Sequence, residues 1–215
     1  RNCDMILEGS ERVMFVEIKK CPLPGSYEQA DDVDVLKTLG EGMLYAQEQI
    51  LWHKLRLKEK GALVLYDKER NYLQDYTPGK KKIIAMSSCM PEYDFLTDRM
   101  MTETFLESTL RVTYHAIDPS REKVLNKLNR RAANIQMVTA RLFAVEKYTT
   151  RDVFFDSMFR SLQQVWTMLR MCDSLDMFLD MCDIQLVVIT GAGDIYVDIL
   201  SALHLHQSRS NKSLV

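Results

Sequence analysis

Apolar and polar residues alternate tightly at the start of the chain and switch to a helical period soon after. Residues 13 to 19 run Val-Met-Phe-Val-Glu-Ile-Lys, rich in strand formers and without a breaker. Side chains on a strand alternate between faces, so Val13, Phe15, Glu17 and Lys19 share one face and Met14, Val16 and Ile18 the other. Met5, Ile6 and Leu7 form a second short apolar run, and Gly9-Ser10 between the two supplies turn chemistry. A four-residue loop over 9 to 12 pairs residue 8 with 13 and Asp4 with Glu17. Directly opposed side chains have Cβ atoms about 5 Å apart, so two carboxylates there need a positive charge between them. A hard divalent cation with oxygen ligands, Mg²⁺ or Mn²⁺, fills that role. A slip of one residue would send Asp4 to the wrong face.

Pro22, Pro24 and Gly25 then break the chain, and Asp31, Asp32 and Asp34 open a predicted helix whose N-terminal dipole favours acidic residues. Its apolar stripe (Leu36, Leu39, Met43, Ile50, Leu51) runs to Gly61, with Lys58 and Lys60 in the last turn. Gln47 falls within the stripe and is expected to face the sheet as a hydrogen-bonded residue at the core edge, one of two readings of this position. His53 and Lys54 are expected on a solvated end. Gly61 to Asp67 reads as a third strand and Lys82 to Ser87 as a fourth. The loop over 71 to 82 carries Lys80, Lys81 and Lys82 after a Pro-Gly turn, either solvated or against a phosphate backbone at the edge of the site.

Further along, helical patterning covers 91 to 110 and a short strand 111 to 117. Asp118-Pro119-Ser120 marks the predicted boundary between a core (1–118) and a mainly helical region (119–215). Residues 120 to 147 and 151 to 182 read as two long helices, the second capped by Thr149 or Thr150. The second carries the stripe Phe154, Phe155, Met158, Phe159, Leu162, Val165, Trp166 and Leu169. Such a stripe packs within the chain or, being Met-rich and adaptable, against a protein partner or a second copy. Arg130, Arg131 and Arg141 sit on a solvated helix face or line a nucleic-acid channel. Gln185 to Thr190 reads as a buried strand before a tight turn at Gly191-Ala192-Gly193, which lacks the third glycine of a dinucleotide fingerprint. His204 and His206, near a Ser-rich tail, do not read as a metal site.

The 215 residues, 47% hydrophobic and 27% charged, suffice for a substantial core. No run of about eighteen apolar residues is present, so no membrane span is expected. Five cysteines without a Cys-x-x-Cys pair argue against a zinc site or a dense disulfide framework. They point to a reducing, intracellular compartment, cytoplasm or nucleus. A net charge of −2 gives no bulk attraction for nucleic acid, although acidic centres and local basic patches can coexist on one chain. Because the chain begins at Arg1, it reads as a fragment or as lacking its N-terminus.

Asp4, twelve intervening residues, then Glu17-Ile18-Lys19 on an apolar strand resembles the core of the PD-(D/E)XK nuclease superfamily. Restriction endonucleases, RecB-like and Holliday-junction nucleases and viral cap-snatching endonucleases belong to it. The resemblance covers roughly residues 3 to 90. Cys3 stands where the family usually carries proline, and Leu51 stands where RecB-like members carry Tyr four residues after the helix Gln. The resemblance implies an α/β, restriction-endonuclease-like mixed sheet of about four strands flanked by helices. It further implies that Asp4, Glu17 and the Ile18 carbonyl hold Mg²⁺ or Mn²⁺, and that Lys19 orients or helps deprotonate the attacking water. Gln47 would neighbour this site, and Lys20, Lys80, Lys81 and Lys82 would contact nucleic acid, DNA ahead of RNA. The expected reaction is metal-dependent phosphodiester hydrolysis. The alternative is a non-cleaving module that keeps the fold for nucleic-acid or protein binding.

Overall fold

The opening hairpin forms in the register its loop length predicts. β1 (Met5–Glu8) and β2 (Arg12–Lys19) pair antiparallel, from Met5 opposite Val16 to Glu8 opposite Val13. The computed structural model describes residues 3–20, 32–90, 97–147, 157–188 and 190–212. The expected break at Pro22, Pro24 and Gly25 lies outside the described residues. So do Cys21, Asp31, Pro91, Thr149, Thr150, Phe154, Phe155 and Ile189.

Asp32–Leu39 (α1), a π-helical turn at Gly40–Leu44 and Tyr45–Lys60 (α2) form one continuous helical path, as the stripe predicts. Gly40 sits where a Cβ would lie 2.7 Å from Leu128 Cδ1, so its missing side chain permits the close approach of α4 (Glu122–Glu146). Gly61 ends α2 in the left-handed conformation at φ 74°, its N–H bonded to the Leu57 carbonyl.

β5 (Lys82–Cys89) lies parallel to β2, and β6 (Ser157–Ser161) parallel to β5, completing a four-stranded mixed sheet of order β1-β2-β5-β6. Helices cover both faces. Leu51 and Leu55 of α2 and Leu125 to Leu142 of α4 pack with Cys89 and Phe159 on one side, joined by Leu106 and Leu110 of α3 (Arg99–Arg111). Met14, Val16, Ile84, Met86 and Met158 meet the other layer. That layer is α5 (Leu162–Arg170), α6 (Leu175–Gln185) and α7 (Ile195–Lys212). The chain is therefore an α/β protein whose region beyond 118 is mostly helical yet supplies one strand of the sheet. Among the described residues no helix is long and apolar enough to cross a membrane.

Several expectations are corrected. The predicted third strand is β3 (Leu63–Tyr66), which among the described residues pairs with β4 (Tyr72–Tyr76) in a separate hairpin, so the expected 71–82 loop is partly strand. The fourth strand of the sheet comes instead from the predicted helix over 151 to 182, whose described residues hold β6, α5 and the first part of α6. Parallel strands are buried on both faces and read as continuous apolar runs, so Met158-Phe159 passes for a helical stripe. Ser161-Leu-Gln-Gln164 was the available signal, since these residues form a complete capping box at the start of α5. Residues 112 to 115 are not a strand, because the Tyr114 backbone bonds to the Asn129 side chain of α4 through both its N–H and its carbonyl. The stretch from 186 to 188 is a helical turn, its N–H groups bonded back to Cys182, Asp183 and Ile184 carbonyls instead of a neighbouring strand.

Asp183 on α6 ties the layers together, accepting from Arg12 Nε of β2 at 2.9 Å and from Lys82 Nζ of β5 at 2.5 Å. Burial alone would raise its carboxyl, but the hydrogen bonds from Lys82 and Arg12 outweigh burial and hold it below the usual carboxylate range. A carboxyl depressed by folding adds stability that is complete above the ordinary value of about 3.9. That stability is lost as the pH falls through the lower folded value. Denaturant titrations from neutral pH downwards should show Asp183→Asn less stable near neutrality and the difference shrinking below about pH 4. A difference that persists undiminished into strong acid would contradict this account.

Candidate active site

The carboxyl end of β2 projects Glu17 and Lys19 from one face of the sheet, beneath α2. Glu17 is fully buried and Lys19 is 9% exposed. Their alternation follows from the strand period, and the chain reverses at Gly9-Ser10 so that Asp4 returns to the same place. Lys19 Nζ stands 2.8 Å from Glu17 Oε2 and 3.7 Å from Asp4 Oδ2. Asp4 lies one residue before β1, and its Oδ2 accepts from the Ile18 N–H at 2.8 Å. Because N–H and C=O of one residue share an edge in an antiparallel strand, the Ile18 carbonyl faces that same edge. Asp4, Glu17, Ile18 and Lys19 are thus brought together.

The other expected residues divide. Gln47 is buried, faces the sheet and donates to Ser157 Oγ at 3.3 Å. It lines a cavity with Ser87, the register partner of Glu17, and so neighbours the site from the β5–β6 side. Lys20 follows β2 and is exposed. Lys80, Lys81 and Lys82 do not flank Glu17. Lys82 pairs with Arg12, five register steps from Glu17, about 16 Å at the strand rise. Lys81 holds Glu8 and Lys82 holds Asp183. The expectation that this lysine run borders the site is corrected: a parallel β5 starts at the far end of β2.

His53 is the residue the sequence reading misplaced. It is 4% exposed, with Nε2 3.4 Å from Glu17 Oε1, and Lys54 beside it is also buried. The usable signal was the spacing Ala46, Ile50, His53, Leu57, which places all four on one helical face. The Phe15 ring, two residues before Glu17 on the same strand face, lies 6.1 Å from the His53 ring. Cys3 completes the surroundings. Burial, reinforced by the Glu17 charge, pushes its thiol up to about 12, so it is neutral at physiological pH.

Cations crowd one side. Lys19 Nζ sits 4.8 Å and the Arg131 guanidinium 3.7 Å from the Tyr45 ring centre. Arg131 and Asn134 of α4 both bond to the buried Glu48 carboxylate. Arg131 thus faces the site, while Arg141 pairs with Glu59. His206 pairs with Asp180 in the opposite layer.

The donor set fits a divalent cation. Lys19 pairs with Glu17 Oε2, while Glu17 Oε1 is a buried carboxylate oxygen with no hydrogen-bond partner, 3.4 Å from His53 Nε2. Comparison with family models, with curated proteins and with solved structures finds no match to this chain.

Proposed function

We propose that the chain is a metal-dependent nuclease of the PD-(D/E)XK type, hydrolysing phosphodiester bonds in nucleic acid. The observation that carries this reading is one ammonium, Lys19 Nζ, shared between Glu17 and Asp4 at the carboxyl end of a strand. Support also comes from the order of elements: antiparallel hairpin, long helix and, after the separate β3–β4 hairpin, a strand parallel to the second hairpin strand. Ligands of open α/β sheets gather outside the carboxyl ends of such strands.

Asp4, Glu17 and the Ile18 carbonyl would hold Mg²⁺ or Mn²⁺. When bound, the ion polarises the phosphate and acidifies water, a contribution of several kcal/mol. Lys19 is fixed by Glu17 and Tyr45, so its ammonium meets charge developing on a phosphate without first reorganising. It also stands where a water near either carboxylate would be oriented. Arg131, held by Glu48 against Tyr45, adds a second cation for the strand being cut. Asp4 is half-exposed, so substrate reaches the site from its side while α2 closes the other.

The direct test incubates the purified chain with Mn²⁺ or Mg²⁺ and labelled single- and double-stranded DNA, then RNA. Cleavage that chelator stops is the expected result. Intact substrate under every condition, with the protein folded, would leave a non-cleaving binding module. Lys19→Gln should lower cleavage roughly 10²- to 10⁴-fold, the usual range for a positioned proton-transfer group. Mn²⁺ affinity should stay level or rise, because a competing positive charge is gone. Loss of both together would place Lys19 in the architecture only.

A further inference from the structure

Three side chains from separate parts of the chain converge behind the Lys19 contact. Cys3 precedes β1, Glu17 lies on β2 and His53 on α2, and one ligand atom of each lies within 4.8 Å of the others. On two of these residues a candidate ligand atom, Glu17 Oε1 and His53 Nε2, is buried and lacks a hydrogen-bond partner. They stand 3.4 Å apart on side chains 0% and 5% exposed. An unsatisfied buried polar group costs roughly 1–3 kcal/mol, so two facing one another in a core need a common partner. Glu17 Oε2 is already held by Lys19, leaving Oε1 as the free ligand.

The spacing suggests what that partner is. Imidazole and carboxylate ligands at about 2.0–2.1 Å from a tetrahedral ion stand about 3.4 Å apart. Mg²⁺ prefers oxygen ligands, whereas thiolate and imidazole select borderline and softer ions. We infer that Cys3 Sγ, Glu17 Oε1 and His53 Nε2 bind one divalent transition metal of the zinc class, leaving a fourth position open. The sequence hides this site, since Cys3 and His53 are fifty residues apart with none of the short spacings of zinc motifs. The assignment rests on the proposed reading of Glu17 as a metal ligand: it shares the Glu17 carboxylate with the Mg²⁺ or Mn²⁺ of that reading, and Cys3 and His53 add the preference for Zn²⁺ or Co²⁺.

Cobalt reports the site without any cleavage assay. The full chain, stripped with chelator and kept reduced with a phosphine, is titrated with Co²⁺ and followed by absorption. The expected result is one equivalent bound, with a thiolate-to-cobalt charge-transfer band and visible bands of tetrahedral intensity. Zn²⁺ should bleach them and excess Mg²⁺ should not. Cys3→Ser should remove the charge-transfer band, and His53→Gln should weaken binding beyond the roughly 10- to 100-fold typical of losing an outer-shell partner. Cys172→Ser should leave the spectrum unchanged. Cys3 is only partly buried, so its variant remains informative if His53→Gln misfolds. A folded wild type without the band, or a band that survives Cys3→Ser, overturns the assignment. A band with these dependences in a protein that cleaves nothing upholds the metal site and removes the nuclease reading alone.

Discussion

Glu17→Gln is expected to abolish both metal binding and cleavage while leaving a folded protein. The buried carboxylate joins the two halves of the site: Lys19 on one oxygen, His53 facing the other. Gln keeps the volume and removes the charge. Because the ion supplies several kcal/mol and each 1.36 kcal/mol is tenfold, cleavage should fall by at least about 10³-fold. Thermal melts give an independent reading. A ligand at about a hundred times its dissociation constant adds about 2.7 kcal/mol. For a chain of this size that raises the melting temperature by roughly 5–10 °C. Wild type should show that rise with Mn²⁺ or Zn²⁺, and Glu17→Gln should not. Without metal the variant should be less stable by about 3 kcal/mol, because among the described residues Lys19 then keeps Asp4, 3.7 Å away, as its counter-charge. An equal metal-induced rise in both proteins would exclude Glu17 as a ligand.

Phe15→Ala should give the largest loss of stability, about 3–5 kcal/mol, as for other fully buried aromatics. Phe15 packs with Val13, Leu57 and Leu63 where the hairpin, α2 and β3 meet. It therefore sets the distance between β2 and α2, and with it the approach of His53 to Glu17. Denaturant unfolding measures the stability term, and the cobalt spectrum of the folded fraction measures the site. Both should change together. Val64→Ala, on the exposed side of β3, should alter stability by no more than about 0.5 kcal/mol and leave the spectrum intact. A Phe15→Ala protein within 1 kcal/mol of wild type would mean that the core closes around the loss and does not hold the helix in place.

The site was partly legible because its first half is local. Asp4, Glu17 and Lys19 lie on one hairpin, where period-two alternation and loop length determine which side chains meet. Gln47 was placed against the sheet by helical spacing alone. The second half was not legible. Met158 and Phe159 carry no alternation, because β6 is covered on both faces, so the strand looked like part of a helix. The lysine run at 80 to 82 was displaced by strand direction: β5 runs parallel to β2, which carries its start away from Glu17.

By itself, then, the order of residues determined the hairpin and its register, the long helix from Asp32 to Gly61, and the three charged groups that share a strand end. Those features depend on neighbours a few positions apart, and local periodicity encodes them. Only the tertiary structure decided which strand completes the sheet, that Lys81 and Lys82 face Glu8 and Asp183, and that Cys3 and His53 join Glu17. Each of those depends on the layers closing over both faces of the sheet. Burial there gives a His on an apolar stripe and a Cys before a strand a common neighbour that no spacing announces.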